Sequence, residues 1–296
     1  METLTMDIDW NRPRAIAEAL SGMMEEFNFS RDAARPFGRV GVCTGFDDLD
    51  NVISGLKPGS LVVIAGRPSL GKSCFALNIA SHVALEQKLP TLIFSMDFSS
   101  MQVAARLVCQ TGSIDTYDFR IGNMDADTRA RAGVAIEKLK SADLYIDETP
   151  ALKVSDICSR TQKVFDKHGQ LGVVVIDYLQ AMNPIYSEGG SAKNYNAVMF
   201  ALRQLAKEIN APIIVLSRLS RRLEKRKNKR PRLSDLPSEG IFQNADLMLF
   251  LYREEVYDPD TQDKGIAEVI IGRNRHGPVG IVRLRFLAEF GCFGVC

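Results

Sequence analysis

The sequence predicts an α/β fold with a mostly parallel central sheet, C-terminal antiparallel strands and an N-terminal helical arm. Three observations predict it. Short aliphatic runs alternate with helical stretches after Thr44, a phosphate-loop pattern stands at the first strand-to-helix junction, and beyond residue 240 the helical pattern gives way to strands joined by Gly, Pro and Asp turns. Strands alternating with helices imply right-handed crossovers and a sheet covered on both faces, which is why its strands read as unbroken apolar runs.

From Asn11 to Phe27, apolar residues recur at helical spacing (Ile16, Leu20, Met23, Met24, Phe27), with Asn11 as N-cap and Pro13 in the first turn. The polar stretch that follows, 28–41, carries Arg31, Arg35 and Arg39 and reads as a linker, so the helix packs either on its own core or on another body. Residues 1–43 therefore form an arm and 44–296 the main domain. Within that domain Leu61–Ala65, Thr91–Ser95, Leu144–Ile146, Gly172–Ile176 and Pro212–Leu216 read as buried strands. Lys72–Leu85, Ser99–Gln110, Ala126–Lys140, Ser155–Lys167 and Asn194–Ile209 read as the helices between them, and Asp246–Tyr252, Ile266–Ile271 and Gly280–Leu287 as the closing strands.

Composition narrows the function classes. The 296 residues are 46% hydrophobic and 25% charged, with 37 basic against 36 acidic side chains, which excludes a disordered chain and a uniformly basic DNA-coating protein. The even balance hides an asymmetry. Arg218 to Arg232 holds nine basic residues and one Glu, a local +8 in a chain of formal net charge +1, so the remainder is acidic at −7. The segment lacks apolar periodicity and reads as a mobile loop. No basic-then-apolar leader and no run of about 18 apolar residues occurs, so neither a signal peptide nor a membrane span is expected and the location is read as cytoplasmic. Six scattered cysteines (43, 74, 109, 158, 292, 296) suit reduced thiols there, with Cys292 and Cys296 on a loosely ordered tail.

Gly66, Arg67, Pro68, Ser69, Leu70, Gly71, Lys72 and Ser73 match G-x4-G-K-[ST] between an apolar strand and a helix whose first turn adds Cys74. In this pattern backbone amides face phosphate oxygens, Lys72 reaches the β and γ phosphates of ATP, and the Ser73 hydroxyl ligates Mg2+. The run Val173–Asp177 ends an aliphatic strand on a carboxylate, an expensive place for charge unless it serves a metal, so Asp177 is the second Mg2+ residue. Asp97, the first acid after a strand expected to neighbour the phosphate-loop strand, is the candidate that orients the attacking water; it could instead be an N-terminal helix charge.

The order of these features, with Thr44–Asp50, Ser54–Gly59, Ile176–Gln180, Leu202–Glu208, Arg253–Tyr257 and Ile270–Gly280, resembles the C-terminal RecA-like ATPase domain of DnaB-type replicative helicases over residues 44–287. The resemblance implies a RecA-like P-loop NTPase that hydrolyses ATP between subunits of a hexameric ring and moves on single-stranded DNA, with primase or a helicase loader as partners. It implies that Arg275 is a cationic finger for the neighbour's nucleotide, with Arg273 two residues before it, and that the arm helix docks on an adjacent subunit. Residues two apart on a strand share one face.

Three positions depart from the family pattern. Asp97 stands where Glu is usual, withdrawing the carboxylate by about one C–C bond, about 1.5 Å. Arg218 replaces a Gln associated with sensing the γ phosphate; it contacts phosphate or DNA. Asp235–Gly240 replaces the D-L-R-E-S-G stretch of the central DNA loop, so Glu239 and Gly240 keep its positions without the arginine. With Arg221, Arg222, Lys225 and Arg226 they form the candidate DNA surface, one dominated by backbone charge because no aromatic interrupts it. The rival functions are a weakly active paralog of the helicase and a RecA-like switch ATPase that does not unwind.

Overall fold

The computed structural model describes residues 16, 41–184 and 194–295; apart from Ile16, the expected arm helix over 11–27 and its linker up to residue 40 lie outside them, as does Cys296. In the unit Gly41–Cys296, one sheet contains β1 (Leu61–Gly66), β2 (Thr91–Ser95), β3 (Leu144–Asp147), β4 (Val173–Asp177), β5 (Ile213–Arg218), β6 (Leu247–Tyr252), β7 (Ile266–Asn274), β8 (Gly280–Leu287) and β9 (Cys292–Val295). Their spatial order is β3-β2-β4-β5-β1-β6-β7-β8-β9. Pairs from β3 to β6 are parallel and those from β6 to β9 antiparallel.

The helices are α1 (Asp47–Ile53), α2 (Lys72–Leu85), α3 (Ser100–Gly112), α4 (Thr116–Ile121), α5 (Ala126–Lys140), α6 (Val154–His168), α7 (Tyr195–Glu208) and α8 (Glu239–Asn244). They cover both faces of the parallel strands, so alternate residues of one strand enter different cores. Val62 and Ile64 of β1 join one core with α2, while Leu61, Val63 and Ala65 join the other with α7. This two-sided burial explains the continuous apolar strands. Among the described residues no helix is long and apolar enough to cross a membrane.

Three expectations are corrected. β2 does not neighbour β1: β4 and β5 lie between them, because the crossover through α2 spans the gap that the later strands fill. The tail at Cys292 is a strand, β9, paired to β8, with Phe293 buried against Phe75 and Phe286. The basic segment is tied down rather than loose. It forms a single turn at Arg221–Lys225 around the buried Leu223, and Arg226 bonds both oxygens of the buried Asp235 at 3.1 and 2.9 Å. Arg230 bonds both oxygens of Glu268 at 2.8 and 2.7 Å. Ion pairs with partners 9 and 38 residues away leave no periodic trace in a sequence.

Candidate active site

β1 ends at Gly66, and the chain then curls back over the strand before entering α2. Ser69 and Gly71 both take left-handed backbone, φ 66° and 93°, the kind of local reversal by which successive amides form an anion-binding nest. A Cβ at Gly71 would stand 2.9 Å from the Phe293 ring, which, with its φ, restricts the position to glycine. Lys72 opens α2, and its Nζ donates to the Arg67 carbonyl across the loop at 2.9 Å. Burial pushes the Lys72 ammonium down to about 8; Asp177 opposes this and Arg218 and Arg67 add to it.

Asp177, at the carboxyl end of β4, accepts a hydrogen bond from the Ser73 hydroxyl, while burial pushes its carboxyl above the usual range against the pull of that bond and of Lys72. A carboxylate made costly by burial, beside a hydroxyl and an open phosphate cradle, fits a hard divalent cation that takes one or two protein oxygens and completes its shell with water and phosphate. Among the described residues there is no cluster of three or more His, Cys, Asp or Glu able to hold a metal.

The other catalytic candidates converge on the same sheet edge. Arg218 ends β5 in register with Gly66, and Ser95 of β2 is in register with Asp177, which brings Asp97 to the mouth although two strands separate β2 from β1. The Arg218 guanidinium lies 3.4 Å from the Asp97 carboxylate and 4.1 Å above the Tyr178 ring. It therefore points to the nucleotide side of the edge. Gln180 fixes its backbone, accepting the Arg218 amide at 3.0 Å and donating to Ser217 Oγ at 2.9 Å.

Sequence reasoning missed the rim. Arg253 reaches the Ser69 carbonyl at 3.4 Å, lies 3.9 Å from the Phe286 ring and pairs with Glu255. Arg106 covers Phe98 at 3.8 Å. A groove of about 680 Å³ opens beside Arg106 and Phe286, lined also by Cys74, Met101 and Tyr117. Such stacked planar groups belong to no spaced motif; only the placement of β8 beside the loop reveals them. The Cys74 thiol is pushed up by burial, so its contribution to the loop is its backbone.

The two expected finger arginines lie elsewhere. Arg273 bonds the Phe242 carbonyl and stacks on its ring at 4.3 Å, and Arg275, just beyond the end of β7, donates to the Gln243 carbonyl at 2.8 Å, so both face α8. Asp246, paired to Arg275 at 3.4 Å, accepts the amide of Leu61, the first residue of β1. The phosphate loop leaves the other end of β1, five residues and about 16 Å away. Arg275 and the phosphate loop of one chain thus sit on opposite edges of the sheet.

Of the candidate DNA residues, Arg221, Arg222, Lys225 and Glu239 are exposed. Arg226 is committed to Asp235, and Gly240 is buried where a Cβ would meet Asn196 at 2.7 Å. The single acid of the basic segment, Glu224, is bonded to Arg67 of the phosphate loop at 2.6 Å, and Arg67 also donates to the Leu219 carbonyl at 2.9 Å.

Residues 41–294 match the family model of the DnaB-like helicase C-terminal domain. The chain is 36% identical over 285 residues to the replicative DNA helicase DnaB of Haemophilus influenzae, covering 95% of this chain and 61% of that protein. It is 40% identical over 259 residues to the DnaB of Geobacillus stearothermophilus, covering 86% and 56%. It thus spans about three fifths of the length of these relatives. A solved ATPase domain superposes with TM-score 0.89 at 32% identity, covering 96% of this chain and 100% of that one. A DnaB-like replicative helicase described with its primase interactions superposes with TM-score 0.84 at 32% identity, covering 96% and 68%.

Proposed function

Because this chain belongs to the family of DnaB-like helicase C-terminal domains, we propose that it is an ATP-hydrolysing DNA helicase motor, working at the interfaces of a hexameric ring and moving on single-stranded DNA. The observation that carries this reading is the split site: loop, cation residues and water-orienting acid share one sheet edge, while the two unplaced arginines sit on the other. A second copy of the chain completes the site.

Loop amides and Lys72 hold the β and γ phosphates, and the nearby anionic charge restores the ammonium that burial disfavours. Ser73 and Asp177 would hold Mg2+, which would supply charge neutralisation for the phosphates. Asp97 orients a water for in-line attack on the γ phosphorus and accepts its proton as ADP leaves. Arg218 meets the γ phosphate from the same chain, and Arg275 and Arg273 meet it from the neighbour. Arg253 and Phe286 offer the nucleobase a stacking surface. Arg221, Arg222 and Lys225 face the DNA backbone. Primase, or a loader, is the partner expected for the ring, and the cytoplasm the place where it meets DNA.

ATP turnover with and without single-stranded DNA, unwinding of a forked substrate and the mass of the assembly test this together. DNA-stimulated, Lys72-dependent turnover by a ring is expected; absence of Lys72-dependent ATP binding overturns it. The short Asp97 side chain, engaged by Arg218, favours a weakly active paralog of the helicase as the second reading, and negligible turnover selects it.

A further inference from the structure

Asp246 is pinned more completely than a residue at a strand entrance needs to be. Its amide donates to the Leu61 carbonyl at 2.8 Å and its carbonyl accepts the Arg275 amide at 2.9 Å. Its buried carboxylate accepts the Leu61 amide on Oδ2 at 3.0 Å, while Oδ1 faces Arg203 of α7 at 3.1 Å and Arg275 Nε at 3.4 Å. Two guanidinium groups thus share one oxygen, and the charge of a third, that of Arg273, is disfavoured first by burial and then by both of them, while Asp246 supports it. A single carboxylate stands among three cations.

We propose that Asp246 is a positioning residue for Arg275: braced by Arg203 and clamped to the first amide of β1, its carboxylate sets the plane and resting place of the finger that meets the neighbour's γ phosphate. This rests on the reading that Arg275 acts on another chain's nucleotide. The physical reasons are geometric and electrostatic. Nε on Asp246 and Nη2 on the Gln243 carbonyl together fix the guanidinium plane. Arg203 competes for Oδ1, so Arg275 is held without being captured and can be drawn to a phosphate. The anchor at Leu61 also joins the finger to the strand that ends in the molecule's own phosphate loop.

The test uses Asp246→Asn in the full chain. The asparagine carbonyl can still accept the Leu61 amide, but the charge that holds Arg275 is gone. Displacement of a catalytic group by about 1 Å costs about 10²-fold in rate, so kcat is expected to fall by up to that factor while nucleotide affinity and KM stay within about twofold. Mixing this variant with Lys72→Ala chains, which lack a working phosphate loop but keep an intact finger, is expected to recover turnover above the sum of the separate preparations. Asp246→Glu, which keeps the charge, is expected to recover part of kcat.

A parallel mixture of Arg275→Ala with Lys72→Ala separates the two layers of inference. If that mixture recovers turnover and the Asp246→Asn mixture does not, Asp246 serves its own fold and the proposal is overturned. If neither recovers, the finger reading itself fails. Should Asp246→Asn lose nucleotide binding, Arg203→Gln, which leaves the carboxylate and its Leu61 bond in place, is read in the same mixture. A several-fold lower kcat that the mixture recovers supports the proposal, and an unchanged kcat overturns it.

Discussion

Lys72→Met should abolish nucleotide binding and yet stabilise the empty protein. The ammonium is pushed from 10.5 to about 8, chiefly by burial, so in the nucleotide-free fold its charged form is disfavoured relative to the unfolded chain. At about 1.4 kcal/mol per pH unit this is a cost of about 3 kcal/mol, carried in full below pH 8. Methionine removes the charge and forfeits the bond to the Arg67 carbonyl, worth about 1 kcal/mol. The expected gain is about 2 kcal/mol, which for a domain of this size raises Tm by about 4 °C. Because the folded state binds fewer protons than the unfolded one between pH 8 and 10.5, the parent recovers stability as pH rises. By pH 9 about 1.4 kcal/mol of the cost is relieved, and the Tm gap should narrow to about 1 °C. Thermal unfolding of both proteins without nucleotide at pH 7 and pH 9 checks this. A variant less stable than the parent at pH 7, or a gap that does not narrow, refutes the assignment of the cost to a buried ammonium.

Other outcomes follow from the same geometry. Asp97→Ala should leave ATP binding intact and reduce turnover by about 10²- to 10⁴-fold, and single-turnover rates within twofold of the parent would exclude it as the water-orienting group. Arg226→Ala strands the buried Asp235 and should cost about 2 kcal/mol in denaturant unfolding, whereas Arg221→Ala should leave stability unchanged and lower the salt slope of single-stranded DNA binding by about 0.7; equal stability losses would contradict this division of labour. Phe293→Ala should destabilise by about 3 kcal/mol, because β9 belongs to the core, and an unchanged Tm would return Cys292–Val295 to the status of a tail.

Much of this was legible because local rules are strong where chemistry is repeated. The Gly66–Ser73 spacing states both a turn and a ligand, Asp177 announces itself as a charge ending an aliphatic strand, and the helix expected from Ser99 begins there, with Ser99 as its N-cap. What the sequence concealed lies at long range. Nothing near Asp97 says that β4 and β5 intervene before β1, yet the register of Ser95 with Asp177 still delivers the residue to the site. The polarity of Arg218–Arg232 suggests solvent, but Arg226 and Arg230 are polar because they meet carboxylates of the same chain. The short helices α4 and α8, six residues each, are too brief for periodicity and depend on caps at Asp115 and Ser238.

The bond between Arg67 and Glu224 ties the phosphate loop directly to the basic segment. On the proposed reading, a triphosphate would draw on Arg67 from within the loop and DNA would draw on the arginines and lysines flanking Glu224 from outside, each adding negative charge close to the other. Thermodynamic reciprocity then requires that whatever penalty DNA imposes on the nucleotide, the nucleotide imposes on DNA. If the chain is the motor proposed above, that one carboxylate, lying between the phosphate loop and the basic segment, is where the coupling between fuel and track would be set.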